Sequence, residues 1–288
     1  MTELKSLEDR VLLCDSLKFM EDLPDEVVDV VICDGPYAVT AHAWDAVSQI
    51  QQFNLALLRQ FSRILKKGGA VYLFGKADCI DFIDYRPYLQ LHSRIVWYQP
   101  SRLAQGRLSY TNNYDVICYF SKGKPKTFNL EAIRVPQLVE LEHRRRCENV
   151  PSVKSGQYSK TVFNDRGKNP GDVWGDIKQL TYKSKELASR ELLNTIQKPE
   201  KLMERLIKAS SNEGDLIFDP FSGSGTVPVV CRRLNRRCIA CEANPGFVRI
   251  AEKRLADLSE SMSTLLLFKA PPEGAPTRCA EPAQALLS

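Results

Sequence analysis

Short runs of β-branched and aliphatic residues alternate along the chain with stretches whose apolar residues recur every three or four positions. VLLCD at 11–15 and VVDVVICD at 27–34 read as buried strands that each close on an aspartate, with a short helix and turn in SLKFMEDLPDE between them. Phe53, Leu57, Leu58, Phe61, Ile64 and Leu65 share one face of a long helix, which Lys66, Lys67 and Gly68-Gly69 should stop. AVYLFG at 70–75 is the next strand, 79–89 reads as a helix, and 93–99 and 114–123 as two further strands. From 124 to about 195 the periodicity fades into Pro, Gly, Asn and charged residues, which predicts a smaller module or a set of long loops. Order returns with a helix at 199–211, a strand at 216–219, a helix after Gly225, a strand at 237–242 and a helix at 245–258. Beyond 259 the chain turns rich in Ser, Pro and Ala and is expected to fray. Strands alternating with helices imply an α/β fold, a mostly parallel open sheet with helices on both faces. Ligands of such sheets bind beyond the carboxyl ends of the strands.

Composition narrows the class. With 288 residues, 43% apolar and 26% charged, the chain excludes collagen-like, coiled-coil and wholly disordered forms and is long enough for a sizeable core. It has no run of the roughly 18 to 20 apolar residues that a membrane span needs, and its start, MTELKSLEDR, lacks the order of a signal peptide. A soluble, cytoplasmic protein is expected. The nine cysteines are scattered singly, a reduced pattern; only Cys238 and Cys241 have metal-like spacing, and with three histidines in all no metal is expected. The net charge is +5, yet residues 122–170 hold eleven Lys/Arg against five acids, leaving 29 basic and 30 acidic residues elsewhere. That segment is an electrostatic footprint for a polyanion or, on composition alone, a solvated loop.

Four predicted strand ends carry acids: Asp15, Asp34, Asp219 and Glu242. A lone strand-end Asp is more often a helix cap. Here Asp219 opens Pro220-Phe221-Ser222-Gly223-Ser224-Gly225-Thr226, a strand-to-helix loop whose glycines permit close approach of backbone to a ligand. Glu242 ends the next strand, where an acid can accept hydrogen bonds from a ribose hydroxyl pair. The loop lacks the third glycine of a dinucleotide fingerprint and the GK[ST] of a P-loop. S-adenosylmethionine, a nucleoside without phosphate, fits it better than a nucleotide does.

The second constellation is Asp34-Gly35-Pro36-Tyr37, again after a buried strand. Together the two resemble the amino-methyltransferases of DNA, whose signatures are a D/N/S-P-P-Y/F/W tetrapeptide and an F-x-G-x-G loop. The tetrapeptide preceding the glycine loop is similar to the β-group order, and the resemblance covers most of residues 9–258. It implies a class I, Rossmann-like methyltransferase fold with a small inserted target-recognition region. The implied divisions are a catalytic half at 1–121, target recognition at 122–195, a cofactor half at 196–258 and a tail at 259–288. It implies S-adenosylmethionine as cofactor, held by Asp15, Lys198, the loop from Asp219 to Thr226, Glu242 and Asn244, with double-stranded DNA as substrate. A homodimer and a cognate restriction endonuclease are the further partners it suggests.

The chemistry agrees. The exocyclic amine of adenine or cytosine is a poor nucleophile because its lone pair is delocalised into the ring. Acceptors aimed at its two N–H bonds would localise that pair and stabilise the developing positive charge. Asp34 and the Gly35 carbonyl are the candidate acceptors, and Tyr37 would stack on a base rotated out of the duplex. Asp at the first tetrapeptide position resembles adenine-N6 enzymes more than cytosine-N4 enzymes, which leaves cytosine N4 as the alternative. A DNA-binding protein that kept the fold but lost turnover is the alternative of another class, because Gly35 stands where the family usually has proline. Lys122, Lys124, Arg144, Arg145 and Arg146 are the candidate phosphate contacts.

Overall fold

The computed structural model describes residues 2–37, 49–76, 83–100, 110–137, 151–154, 157–160, 164–181, 183–188 and 197–269. At its centre is an eight-stranded sheet. Its strands are β1 (Arg10–Leu13), β2 (Val28–Cys33), β3 (Leu65–Gly75), β4 (Gln90–Tyr98), β5 (Tyr114–Ser121), β8 (Val173–Trp174), β9 (Leu216–Asp219) and β10 (Arg237–Glu242). They lie in the order β1-β10-β9-β2-β3-β5-β4-β8, and all run the same way except β5, which is antiparallel to both its neighbours. A separate antiparallel hairpin pairs β6 (Pro151–Lys154) with β7 (Gln157–Lys160).

Both faces of the sheet are covered. On one face lie α2 (Ser16–Asp22) and α3 (Ile50–Ile64), whose Leu57, Leu58, Phe61 and Ile64 meet Val31, Cys33 and Leu73. On the other lie α5 (Glu200–Ser210), α6 (Thr226–Arg233) and α7 (Pro245–Lys269), where Leu202, Leu206 and Ile207 pack with Tyr72, Phe74 and Trp97. Two short helices, α1 (Thr2–Leu7) and α4 (Leu130–Ile133), sit outside these layers. Burial on two faces explains why β2 reads VDVVIC with every position buried. Its one polar residue, Asp29, takes Lys66 Nζ at 2.7 Å and the Leu216 N–H at 3.0 Å, so the buried carboxylate is satisfied.

The family fold expected from the sequence is present, with four departures. The helix expected to pause over Lys66–Gly69 instead ends at Ile64 and enters β3 at once. Gly68, at φ +77, and Gly69 exchange backbone hydrogen bonds there with Lys122. Residues 83–89 form turns before β4 rather than a helix, and 79–82 lie outside the described residues. β8 joins the main sheet beside β4, so the 122–195 segment is not wholly separate from the catalytic layer. α7 continues to Lys269, well past 258, because SESMSTLLLFK still contains good helix formers and no Gly or Pro. Among the described residues no helix is long and apolar enough to cross a membrane.

Candidate active site

The chain order places β9 and β10, from the carboxyl-terminal part of the sequence, between β1 and β2 from the amino-terminal part. Asp15, Glu242, Asp219 and Asp34 therefore stand beyond the carboxyl ends of four adjacent strands. This is the crevice in which open α/β sheets bind ligands.

The glycine loop is fixed by its neighbours. Ser222 N–H donates to the Cys241 carbonyl (2.9 Å), Gly223 N–H to Glu242 Oε2 (2.8 Å) and Gly225 N–H to the Ser222 carbonyl (2.9 Å). Glu242 Oε1 also accepts the Asn244 N–H at 2.8 Å, and Asn244 Oδ1 accepts the Gly246 N–H at 2.7 Å, which settles the start of α7. The two glycines have different reasons to be glycine. At Gly223, φ is +53 and a Cβ would meet open space, whereas at Gly225, φ is +79 and a Cβ would lie 2.6 Å from the Ala251 Cβ. The first leaves room for a ligand and the second lets α7 approach the loop. Arg254 ties the far side, donating to the Ser224 carbonyl at 2.8 Å while paired with Glu200.

Two buried polar groups stand at the start of this loop. The Ser222 hydroxyl is buried next to the Asp219 carboxylate. Asp219 is buried, and that burial pushes its carboxyl well above the usual carboxylate range; the Phe221 N–H and the Ser222 hydroxyl oppose, and Asp34 and Glu242 push the same way. Asp15 differs: its Oδ1 accepts from Leu17 N–H (2.9 Å) and Lys18 N–H (3.2 Å), so it is the N-cap of α2.

The tetrapeptide follows β2. Asp34 receives Lys198 Nζ on both oxygens, at 2.8 and 2.7 Å, and the Tyr37 hydroxyl at 2.5 Å. Lys198 enters from the residue before the Pro199 cap of α5 and is 4% exposed, its ammonium 5.5 Å from the Phe74 ring centre and 5.4 Å from that of Tyr37. Burial, then the Asp34 charge, pushes the Tyr37 hydroxyl far up, so it stays a neutral donor. Gly35 touches the glycine loop: a Cβ on it would lie 3.1 Å from Phe221 Cε2. Phe221 thus links the two constellations, with Phe53 on its other side at 6.0 Å between ring centres.

The structure brings together Asp34, Gly35, Tyr37, Asp219, Phe221, Gly223 and Glu242, and places Lys198 against Asp34 rather than within the glycine loop. Lys122 and Lys124 lie elsewhere. β5 runs antiparallel, so the turn after it meets Gly68 and Gly69 at the amino end of β3, roughly 16 Å of strand from the Asp34 end. Lys122 Nζ is there bonded to Glu26 (3.0 Å) and to the Leu65 carbonyl (2.9 Å), a structural tie. Arg144, Arg145 and Arg146 lie outside the described residues. Sequence reasoning missed a buried pair near Tyr37, Gln99 donating to Asp115 at 3.0 Å, the first just past the end of β4 and the second on β5.

Comparison with known proteins points one way. The family model described as "DNA methylase", for N6 and N4 enzymes, matches residues 28–253. The chain is 32% identical over 259 residues to the type II methyltransferase M.HpaI of Haemophilus parainfluenzae, covering 86% of this chain and 74% of that one. It is 31% identical over 255 residues to the DNA adenine methyltransferase YhdJ of Escherichia coli (strain K12), covering 84% and 80%. Among solved structures, the cytosine-N4-specific PvuII DNA methyltransferase superposes with a TM-score of 0.58 at 16% identity, covering 89% and 92%. The M1.HpyAVI-SAM complex superposes with a TM-score of 0.53 at 17% identity, covering 85% and 98%. These two likenesses establish the fold, and the family match together with the sequence relatives establishes that the chain belongs to the N6/N4 DNA methylase family.

Proposed function

We propose that this DNA methyltransferase binds S-adenosylmethionine in the crevice beyond β9 and β10 and transfers its methyl group to N6 of an adenine rotated out of duplex DNA. The observation that carries the reading is the environment of Asp34: a carboxylate beside the nucleoside crevice that already accepts from an ammonium and a hydroxyl. Those are the kinds of donor that an exocyclic amine presents, before and after it gains charge.

The crevice suits the cofactor. The open space over Gly223, the buried Ser222 hydroxyl and the carboxylate of Glu242 would hold the nucleoside and its ribose hydroxyls. Nothing in the loop supplies the lysine or the third glycine of a phosphate cradle. When bound, the cofactor supplies an electrophilic methyl group on a sulfonium. The chain's own residues do the rest. Asp34 and the Gly35 carbonyl accept the two N–H bonds of the amine, which frees its lone pair and stabilises positive charge as the new N–C bond forms. Tyr37, kept neutral by burial, leaves Asp34 to stack on the base. Holding amine and methyl in line adds the advantage of proximity.

Adenine is favoured by Asp at the first tetrapeptide position, and the relative YhdJ is named as an adenine methyltransferase. The neighbouring PvuII fold is named as cytosine-N4-specific. Digestion of methylated DNA to nucleosides and chromatographic identification separates the readings: N6-methyladenine supports this one, N4-methylcytosine replaces it, and no modified base favours a DNA-binding protein without turnover.

A further inference from the structure

Among the six cysteines whose surroundings are described, Cys14 alone is not buried. It lies just beyond β1, where its N–H donates to the Glu242 carbonyl at 3.1 Å. The parallel register pairs Leu12 with Cys241 and Leu13 with Glu242, and the side chains of Leu12, Cys14 and Cys241 all pack into the cluster on the α2–α3 face. That face sets the two thiols side by side, and the Cys14 S–H also reaches the Leu12 carbonyl at 3.7 Å. The neighbouring Cys241 thiol holds the Cys14 thiol below its ordinary value, against burial and the charges of Asp15 and Glu242, while Cys14 and burial push Cys241 up. A partly exposed thiol beside a second thiol is the arrangement that exchanges with disulfides. The other thiol pair, Cys231 with Cys238, is fully buried.

The pair is wired to the nucleoside crevice. The Cys241 carbonyl accepts the Ser222 N–H, the next residue's carboxylate accepts the Gly223 N–H, and Asp15 directly follows Cys14. A disulfide requires its sulfurs about 2 Å apart, closer than two hydrogen-bonded thiols come. Closing it would draw the ends of β1 and β10 together and shift both anchors of the glycine loop.

We propose that Cys14 and Cys241 form an oxidation site, closing to a reversible disulfide that weakens cofactor binding and is in turn disfavoured by it. The inference rests on the nucleoside reading of the crevice given above. The oxidant is a low-molecular-weight disulfide. The Cys14 thiolate attacks one of its sulfurs, expelling one small thiolate and leaving a mixed disulfide. Cys241, giving its proton to solvent, then attacks the Cys14 sulfur and expels the second small thiolate. Two protein S–H bonds become one S–S bond, and one small disulfide becomes two thiols.

The experiment incubates the full chain with glutathione disulfide, blocks remaining thiols, maps cross-linked peptides by mass spectrometry and measures S-adenosylhomocysteine affinity by calorimetry before oxidation, after it and after dithiothreitol. The expected result is a Cys14–Cys241 cross-link, an affinity loss of about tenfold that dithiothreitol restores, and slower cross-linking when the nucleoside is saturating, as linkage requires. The Cys14→Ser variant should bind normally and ignore the oxidant. A mixed disulfide that stays on Cys14, or a cross-link between other cysteines, overturns the site. A Cys14–Cys241 bond with unchanged affinity overturns the coupling alone. Reduced protein that binds no nucleoside overturns the crevice reading and the coupling with it.

Discussion

Lys198 Nζ lies 2.7 and 2.8 Å from the two carboxylate oxygens of Asp34, although 164 residues separate them in the chain. Asp34 is 23% exposed and Lys198 4%, so the pair bridges the rim of the crevice and the core. Removing one partner of such a pair leaves a charge without compensation, which costs more than removing both. Lys198→Met should therefore lower unfolding stability by roughly 2 to 4 kcal/mol, and the double variant with Asp34→Asn should recover part of that loss. Chemical denaturation of the four proteins measures the coupling. Additive losses would mean that the two side chains do not pair in solution.

Gly35 keeps an acceptor carbonyl but lacks the fixed φ of a proline. A Cβ here meets Phe221 at 3.1 Å, and the Gly35 N–H, which donates to the Cys33 sulfur, would be lost. Gly35→Pro should cost about 1 kcal/mol of stability, since Phe221 must yield by a few tenths of an ångström. Turnover should be equal or higher because the carbonyl is pre-positioned. Thermal unfolding and initial rates read the two effects separately; a well-folded variant without activity would show that the loop does not accept a proline backbone.

The two loop glycines should respond differently. Gly225→Ala drives a Cβ into Ala251 at positive φ and should destabilise the protein by about 2 to 3 kcal/mol. Gly223→Ala meets no protein atom, so its stability cost should stay near 1 kcal/mol, the strain of an L residue in the left-handed region. Yet it should weaken S-adenosylmethionine binding at least tenfold by filling the ligand's space. Normal binding by a folded Gly223→Ala protein would move the nucleoside away from this loop.

Asp219 gives a pH signature with a definite sign. Burial raises its folded-state pKa above the unfolded value, so between the two the folded protein binds more protons. Stability then falls as pH rises from about 4 towards the folded pKa, by up to about 1.4 kcal/mol per pH unit for one group. Asp219→Asn keeps an acceptor for the Phe221 N–H, bonded at 3.2 Å, and should flatten that slope. Denaturant melts over a pH series check it, and an unchanged slope would place the titration elsewhere.

The alternation of apolar runs was enough to read most strands, because a strand buried on both faces, such as VDVVIC, has little other way to fold. The placing of Asp34, Asp219 and Glu242 was legible for the same reason: each sits where a strand ends, and these strands lie side by side in the sheet. What escaped depends on contacts between distant segments. No local pattern says that Lys198 reaches Asp34, or that Gly35 is small where Phe221 leans on it. That Asp15 caps α2 shows only in the Leu17 and Lys18 N–H bonds to its Oδ1. Nor does any local pattern say that the reversed direction of β5 carries Lys122 and Lys124 to the other end of the sheet from Asp34.

The central claim is that Asp34 acts on the target amine and not on the cofactor. Duplex DNA incubated with methyl-tritiated S-adenosylmethionine and the wild-type protein should acquire label that chromatographs as N6-methyladenine. Under the same conditions Asp34→Ala should fall by at least about a hundredfold, the usual scale for losing a group that stabilises transition-state charge, while calorimetry finds its cofactor affinity within a few fold of wild type. Full labelling by Asp34→Ala, or cofactor binding lost together with activity, would contradict the account.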